Sequence, residues 1–162
     1  MKIKMLNSLS KLETSSAFKD WKENNQDSYL CSCFFMDKEN WQFDYYLPKE
    51  DKIKSFIVSE EIEELKDAEI FKKDKRKLDL LDLKKVKINV NEVLEIANEL
   101  IKKKHDHEKI IKRIIILQNL EEETWNITYV TSSFNVVNFK ISAISGKVLA
   151  EKIENIMSFK AS

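Results

Sequence analysis

Apolar and polar positions alternate along this chain in two registers, and the switch between them marks its elements. From Asn7 to Glu23 the apolar residues Leu9, Leu12, Ala17, Phe18 and Trp21 recur at helical spacing with charged residues between them, which predicts one amphipathic helix. Asn24 to Ser28 is a run of turn and cap formers that ends it. Tyr29 to Met36 and Trp41 to Leu47 then read as strands joined by the polar turn Asp37 to Asn40, because Trp41, Phe43 and Tyr45 alternate with Gln42 and Asp44. Pro48 to Lys52 makes the next turn and Ile53 to Val58 a third strand. In 60–71, Ile62, Leu65, Ile70 and Phe71 fit either a bent fourth strand or a short helix.

The most charged run of the chain, 72–77, has no apolar member and is read as a solvated connector. Leu78 to Ile88 leads into a second helix, with Asn89 or Asn91 as its cap and Glu92 three residues after Asn89, as in a capping box. Val93, Ile96, Ala97, Leu100 and Ile101 are its apolar stripe, and Lys102 to Lys104 meet the negative end of its dipole. Ile110–Leu117, Trp125–Val130, Val136–Ile141 and Lys147–Glu151 follow as strands.

Helix followed by meander therefore occurs twice. Trp41 and Trp125 are 84 residues apart, and Phe56 and Phe139 are 83 apart, the spacing expected of two copies of one small unit. The organisation expected is a first copy over 1–71, a charged connector over 72–85 and a second copy over 86–162, the copies packing on each other because each is near the lower size limit for independent stability. The class is α+β, each copy laying one helix on an antiparallel meander of three to four strands. Each tryptophan can bury about 200 Å², worth roughly 5 kcal/mol at most, so removing either is expected to unfold its own copy.

Ile88-Asn89-Val90-Asn91-Glu92-Val93-Leu94-Glu95-Ile96-Ala97 resembles the helix start of PepSY-type domains. Phe139 to Leu149 resembles that family's last hairpin, with Ser142 where the family has Asp and Ser145 where it has Thr. The resemblance covers about 86–152; the first copy lacks the glycine motif and carries Ser59-Glu60-Glu61 in its place. What the resemblance implies is a two-layer, cystatin-like fold and a small non-catalytic module that inhibits, regulates or binds, in most cases outside the cytoplasm. Against that last implication, no apolar run of signal-peptide length follows Met1 to Lys4, and a soluble cytoplasmic protein with no membrane association is expected.

Composition narrows the chemistry. With 28 basic and 28 acidic residues there is no net field to steer the protein towards nucleic acid or an anionic membrane. Gly146 is the only glycine, which argues against a P-loop, a dinucleotide fingerprint or a nucleophile elbow. Cys31 and Cys33 sit at i, i+2, which on a regular strand puts both thiols on one face, read as reduced sheet residues. His105-Asp106-His107 offers metal-ligand types, but the chain has no third histidine and a structural zinc wants about four ligands; a helix-end role is preferred and no metal or cofactor is expected. The glutamate pairs read as turn residues, and the Asn126-Ile127-Thr128 acceptor pattern lies inside a strand.

No catalytic residue is assigned. The leading expectation is a non-enzymatic binding or regulatory module that engages a protein or peptide through its sheets or their edges, with Tyr29, Tyr45, Tyr46 and Tyr129 as the candidate surface. The alternative is a small-molecule binder or enzyme with an aromatic-walled pocket between helix and sheet. RNA binding through Lys72 to Lys77 is a third and weaker option, and the oligomeric state is open.

Overall fold

Strand and helix boundaries follow the alternation closely, and the computed structural model describes residues 4–37, 39–69 and 77–156. Two short helices open the chain, α1 (Met5–Thr14) and α2 (Ser16–Glu23), where the periodicity predicts one. The break is at Ser15, whose extended backbone (φ −72°, ψ 149°) lets its hydroxyl accept from the Phe18 N–H at 3.2 Å and cap α2. Serine competes for backbone partners in this way, and helical spacing alone does not register it.

Strands β1 (Tyr29–Met36), β2 (Trp41–Leu47) and β3 (Lys52–Val58) form the first meander. The ambiguous 60–71 stretch supplies two short strands, β4 (Ile62–Glu64) and β5 (Ala68–Glu69), while Ile70, Phe71 and the basic run Lys72 to Arg76 lie outside the described residues. After a single 3-10 turn at Leu83–Lys85, α3 (Val90–His105) starts at Asn89 in a full capping box: the Asn89 side chain accepts from Glu92 N–H, and Glu92 accepts from Asn89 N–H. The second meander is β6 (Ile110–Asn119), β7 (Glu123–Thr131), β8 (Asn135–Ser142) and β9 (Val148–Asn155). Gly146 makes its last turn at φ +80°. Other turns reach positive φ without glycine, at Asp51, Glu121 and Phe134.

The two meanders are joined edge to edge. All strands lie in one antiparallel sheet of order β4-β3-β2-β1-β6-β7-β8-β9, with β5 also on β3. The seam is the β1–β6 ladder, in which Cys33 faces Leu117, Phe34 faces Ile116 and Phe35 faces Ile115. On one side of it Trp41 faces Val58 and Phe43 faces Phe56; on the other Trp125 faces Ile141 and Ile127 faces Phe139.

One core runs beneath the whole sheet. It gathers Leu9, Leu12 and Phe18 from α1 and α2, Val93, Leu94, Ala97 and Ile101 from α3, and the alternate strand residues Cys33, Phe43, Phe56, Ile115, Leu117, Trp125, Ile127 and Phe139. The tryptophans hold matching ladder positions but differ at the ring nitrogen. Trp125 Nε1 donates to the Ile88 carbonyl at 2.8 Å, whereas Trp41 Nε1 has no hydrogen-bond partner among the described residues.

The other face of the sheet is half-exposed and mixed, with Phe34, Ile57, Ile114 and Ile116 beside polar groups. Asp44 accepts from Ser32, Ser55 and Gln42 at 2.7, 2.6 and 2.9 Å, and Asn138 donates to Asn126 and to Thr128. Within the charged connector, Leu81 is buried, its N–H donates to Leu30 O at 3.0 Å, and the Asp82 N–H donates to Glu123 Oε2 at 3.1 Å. Residues 78–82 thus stitch the end of the seam. No helix among the described residues is long and apolar enough to cross a membrane.

Candidate functional site

The four tyrosines do not form an exposed patch. Tyr45, Tyr46 and Tyr129 are buried, at 5%, 0% and 1% exposure, and only Tyr29 is half-exposed. Tyr45 lies against Phe18 (ring centroids 5.1 Å apart) and Trp21 on the helix side, and Tyr129 donates to Asn98 of α3 at 2.6 Å. Tyr46 bonds Asp51 and meets Tyr29 in a tilted ring pair with centroids 5.6 Å apart, and Tyr29 donates to Leu78 O. A phenol can bury its ring wherever its hydroxyl finds a partner, and burial pushes Tyr46 and Tyr129 up to about 12. Tyr45 continues the inward alternation of Trp41 and Phe43, so the strand period already carried this signal.

The cysteines are buried and free. A bulge between Leu30 and Ser32 makes Cys31 the extra residue of β1, so only Cys33 joins the common core and the one-face expectation fails there. Cys31 donates to Asp44 O at 3.3 Å. Burial, then the nearby Asp44 carboxylate, pushes Cys31 up to about 12, and the same causes raise Cys33, so both remain thiols at neutral pH.

The sheet treats its two edges differently. At one end β3 is covered by β4, with Phe56 facing Glu64 and Val58 facing Ile62, and by β5, with Lys52 facing Glu69. At the other end the far side of β9 pairs with no strand among the described residues. Seven of its eight residues are exposed, including Val148, Leu149 and Ile153 at 42%, 46% and 50%. Ile153 faces Val137 and Glu151 faces Phe139, on the helix side; Lys152 and Glu154, on the open side, pair with each other at 2.6 Å. Lys104 of α3 reaches down to Glu151. Sequence reasoning names sheet edges without saying which, because strand order is a property of the whole sheet.

A cleft of about 290 Å³, lined by polar groups and by Ile101 and Ile110, lies under the C-terminal end of α3, between Asn98, His105, Arg113, Tyr129 and Asp37. Arg113 Nε donates to Asp37 Oδ1 at 3.0 Å across the seam. His105 Nδ1 lies 3.0 Å from Glu108 Oε2, and since an ionised carboxylate only accepts, that nitrogen carries the hydrogen. His107 points away into solvent, so the two histidines do not converge, and no group of three metal-ligating side chains occurs among the described residues.

Glu108 is the anchor of this corner, accepting from Thr131 at 3.1 Å, from Asn135 at 2.9 Å and from Ser133. Burial pushes its carboxyl up, but the hydrogen bonds from Asn135, Thr131 and His105 outweigh that and hold it below the usual carboxylate range. A depressed carboxylate stabilises the fold above its unfolded pKa, and that contribution disappears as pH falls through the depressed folded value. Glu108→Gln is therefore expected to flatten the acid limb of a stability–pH curve below the ordinary glutamate range, read by urea midpoints at a series of pH values; an unchanged limb would show that the hydrogen bonds do not act on the ionised form.

No known family's sequence profile matches the chain, and no curated protein matches it. Among solved structures, the chain is similar to a "putative lipoprotein" from Clostridium difficile 630, with a TM-score of 0.53 and 15% identity over 85% of this chain and 90% of that one. At that coverage the shared fold takes in both meanders, so the helix-backed sheet recurs as a unit in another protein.

Proposed function

We propose that this chain is a non-enzymatic binding module that takes an extended protein segment along β9 by strand addition. The observation that carries the reading is the asymmetry of the sheet among the described residues, covered at β3 by β4 and β5 and with no strand beyond β9 from Val148 to Glu154. An open edge offers unpaired N–H and C=O groups in register, and Val148, Leu149 and Ile153 add apolar contacts beside them. Buried thiols that stay protonated, and turns that reach positive φ without glycine cradles, fit binding better than catalysis.

We also propose that the two halves are a tandem duplication of a PepSY-like unit. The support is the register: Cys33 faces Phe43 as Ile115 faces Ile127, and the seam pairs Cys33 with Leu117 and Phe35 with Ile115. Exchanging the halves maps that ladder onto itself about the Phe34–Ile116 pair. Placement in the cytoplasm is likewise a proposal, favoured by two unpaired cysteines; the lipoprotein description of the similar structure favours an extracytoplasmic site, and cell fractionation decides between them.

The experiment is a peptide array probed with the full chain, followed by hydrogen exchange with each bound peptide. Slowed exchange confined to β9 amides is expected. Peptides that slow exchange only around Asn98, His105 and Arg113 would move the binding site from β9 to the cleft those residues line. An array without ligands beside a positive turnover assay would reject the binding module.

A further inference from the structure

We infer that the segment added along β9 is the β9 strand of a second copy of this chain, paired antiparallel with Ile153 on the two-fold axis. The inference rests on the strand-addition reading and follows from the charge order of the edge. In an isologous antiparallel pair whose axis is perpendicular to the sheet, facing residues point to the same side and the axis passes midway between a residue and its own copy, so each centre is named by that residue. Ile153 lies on the helix side with Glu151, and Lys152 and Glu154 lie on the open side.

Leu149 is the extra residue where the β8–β9 ladder shifts its register, so the centres to compare are those of the regular stretch beyond it, from Glu151 to Glu154. An axis at Glu151 sets two glutamates against each other, at Lys152 two lysines, and at Glu154 two glutamates again. With the axis at Ile153, the half-exposed isoleucines meet, Lys152 faces the other copy's Glu154 twice, and Glu151 faces Asn155. The Lys152–Glu154 pair inside one chain then becomes a square of four alternating charges. Opposite charges directly across a ladder favour pairing, and like charges oppose it.

The other end of the sheet makes the assembly finite. Because β3 is covered by the short strands β4 (three residues) and β5 (two residues), β9 is the long open edge among the described residues, and the joined sheet ends in those short strands on both sides. Closed two-fold association follows instead of a fibre.

The test is light scattering of the full chain over a concentration series, with charge exchange as the discriminating step. Wild type is expected at twice the chain mass. Lys152→Glu and Glu154→Lys, each of which places like charges opposite each other at two points, are expected to weaken the dimer by about tenfold or more, and the double exchange to restore it. These are exposed positions, and circular dichroism of each variant checks that the fold is kept. A monomer at several hundred micromolar, single exchanges without effect, or a double exchange that fails to recover the dimer would overturn the inference. A monomer whose array-selected peptides still protect β9 would leave strand addition standing and remove only self-pairing; a dimer with fast-exchanging β9 amides would place the interface elsewhere and also remove self-pairing.

Discussion

Trp125→Ala is expected to lower stability by about 3–5 kcal/mol, as large aromatic truncations in a packed core do. Its ring is fully buried, and its N–H is the donor to Ile88 O at the entry to α3. Conservative replacement separates the two contributions. Trp125→Phe keeps most of the apolar surface and leaves the Ile88 carbonyl without its donor, a loss of about 1–3 kcal/mol. Trp41→Phe removes a ring nitrogen that has no partner among the described residues, so it should cost less than Trp125→Phe by a similar amount. Urea unfolding of the four single variants, Ala and Phe at each position, measures the difference. Equal costs for the two Phe variants would show that the Trp125 bond adds nothing net.

Leu117→Ala is expected to cost about 2–5 kcal/mol and to loosen both halves together. Leu117 is fully buried in the seam, facing Cys33 of the first meander and Trp125 of the second. With one core beneath one sheet, neither half can give up its packing while the other retains it. Amide exchange in β2 and β7 should therefore accelerate by the same factor in this variant. Faster exchange in β7 alone would mean that each half keeps its own cooperative unit, as the sequence pattern by itself suggests.

The elements were legible because alternation and capping are local. Tyr29 to Met36 and Trp41 to Leu47 have the limits that hydrophobic alternation predicts, and the Asn89–Glu92 box could be read from a four-residue spacing. What was not legible depends on contacts far apart in sequence. The pairing of β1 with β6 needs both strands at once, and nothing in Cys33 or Leu117 alone names the other. The bulge at Cys31 and the break at Ser15 are single-residue departures that an averaged period hides. Residue type alone puts the tyrosines outside, whereas Tyr45 shares the inward period of Phe43.

The candidate site divided the same way. An unpaired strand edge has no motif, because its availability is decided by which strand the topology leaves last. The charges of Lys152 and Glu154 were visible in the sequence, but their meaning depends on both pointing to the side of the sheet away from α3.

The seam also has a consequence for synthesis. On a ribosome β1 is finished at Met36, well before its neighbour β6 begins at Ile110, and at roughly 5–20 residues per second the interval lasts several seconds. Throughout it the nascent first meander carries a bare central strand, and any other nascent chain with a free strand could occupy the place meant for β6. The emerging polypeptide thus passes through a vulnerable stage that the finished protein no longer displays, and crowded polysomes are where misassembled products of this chain should first be sought.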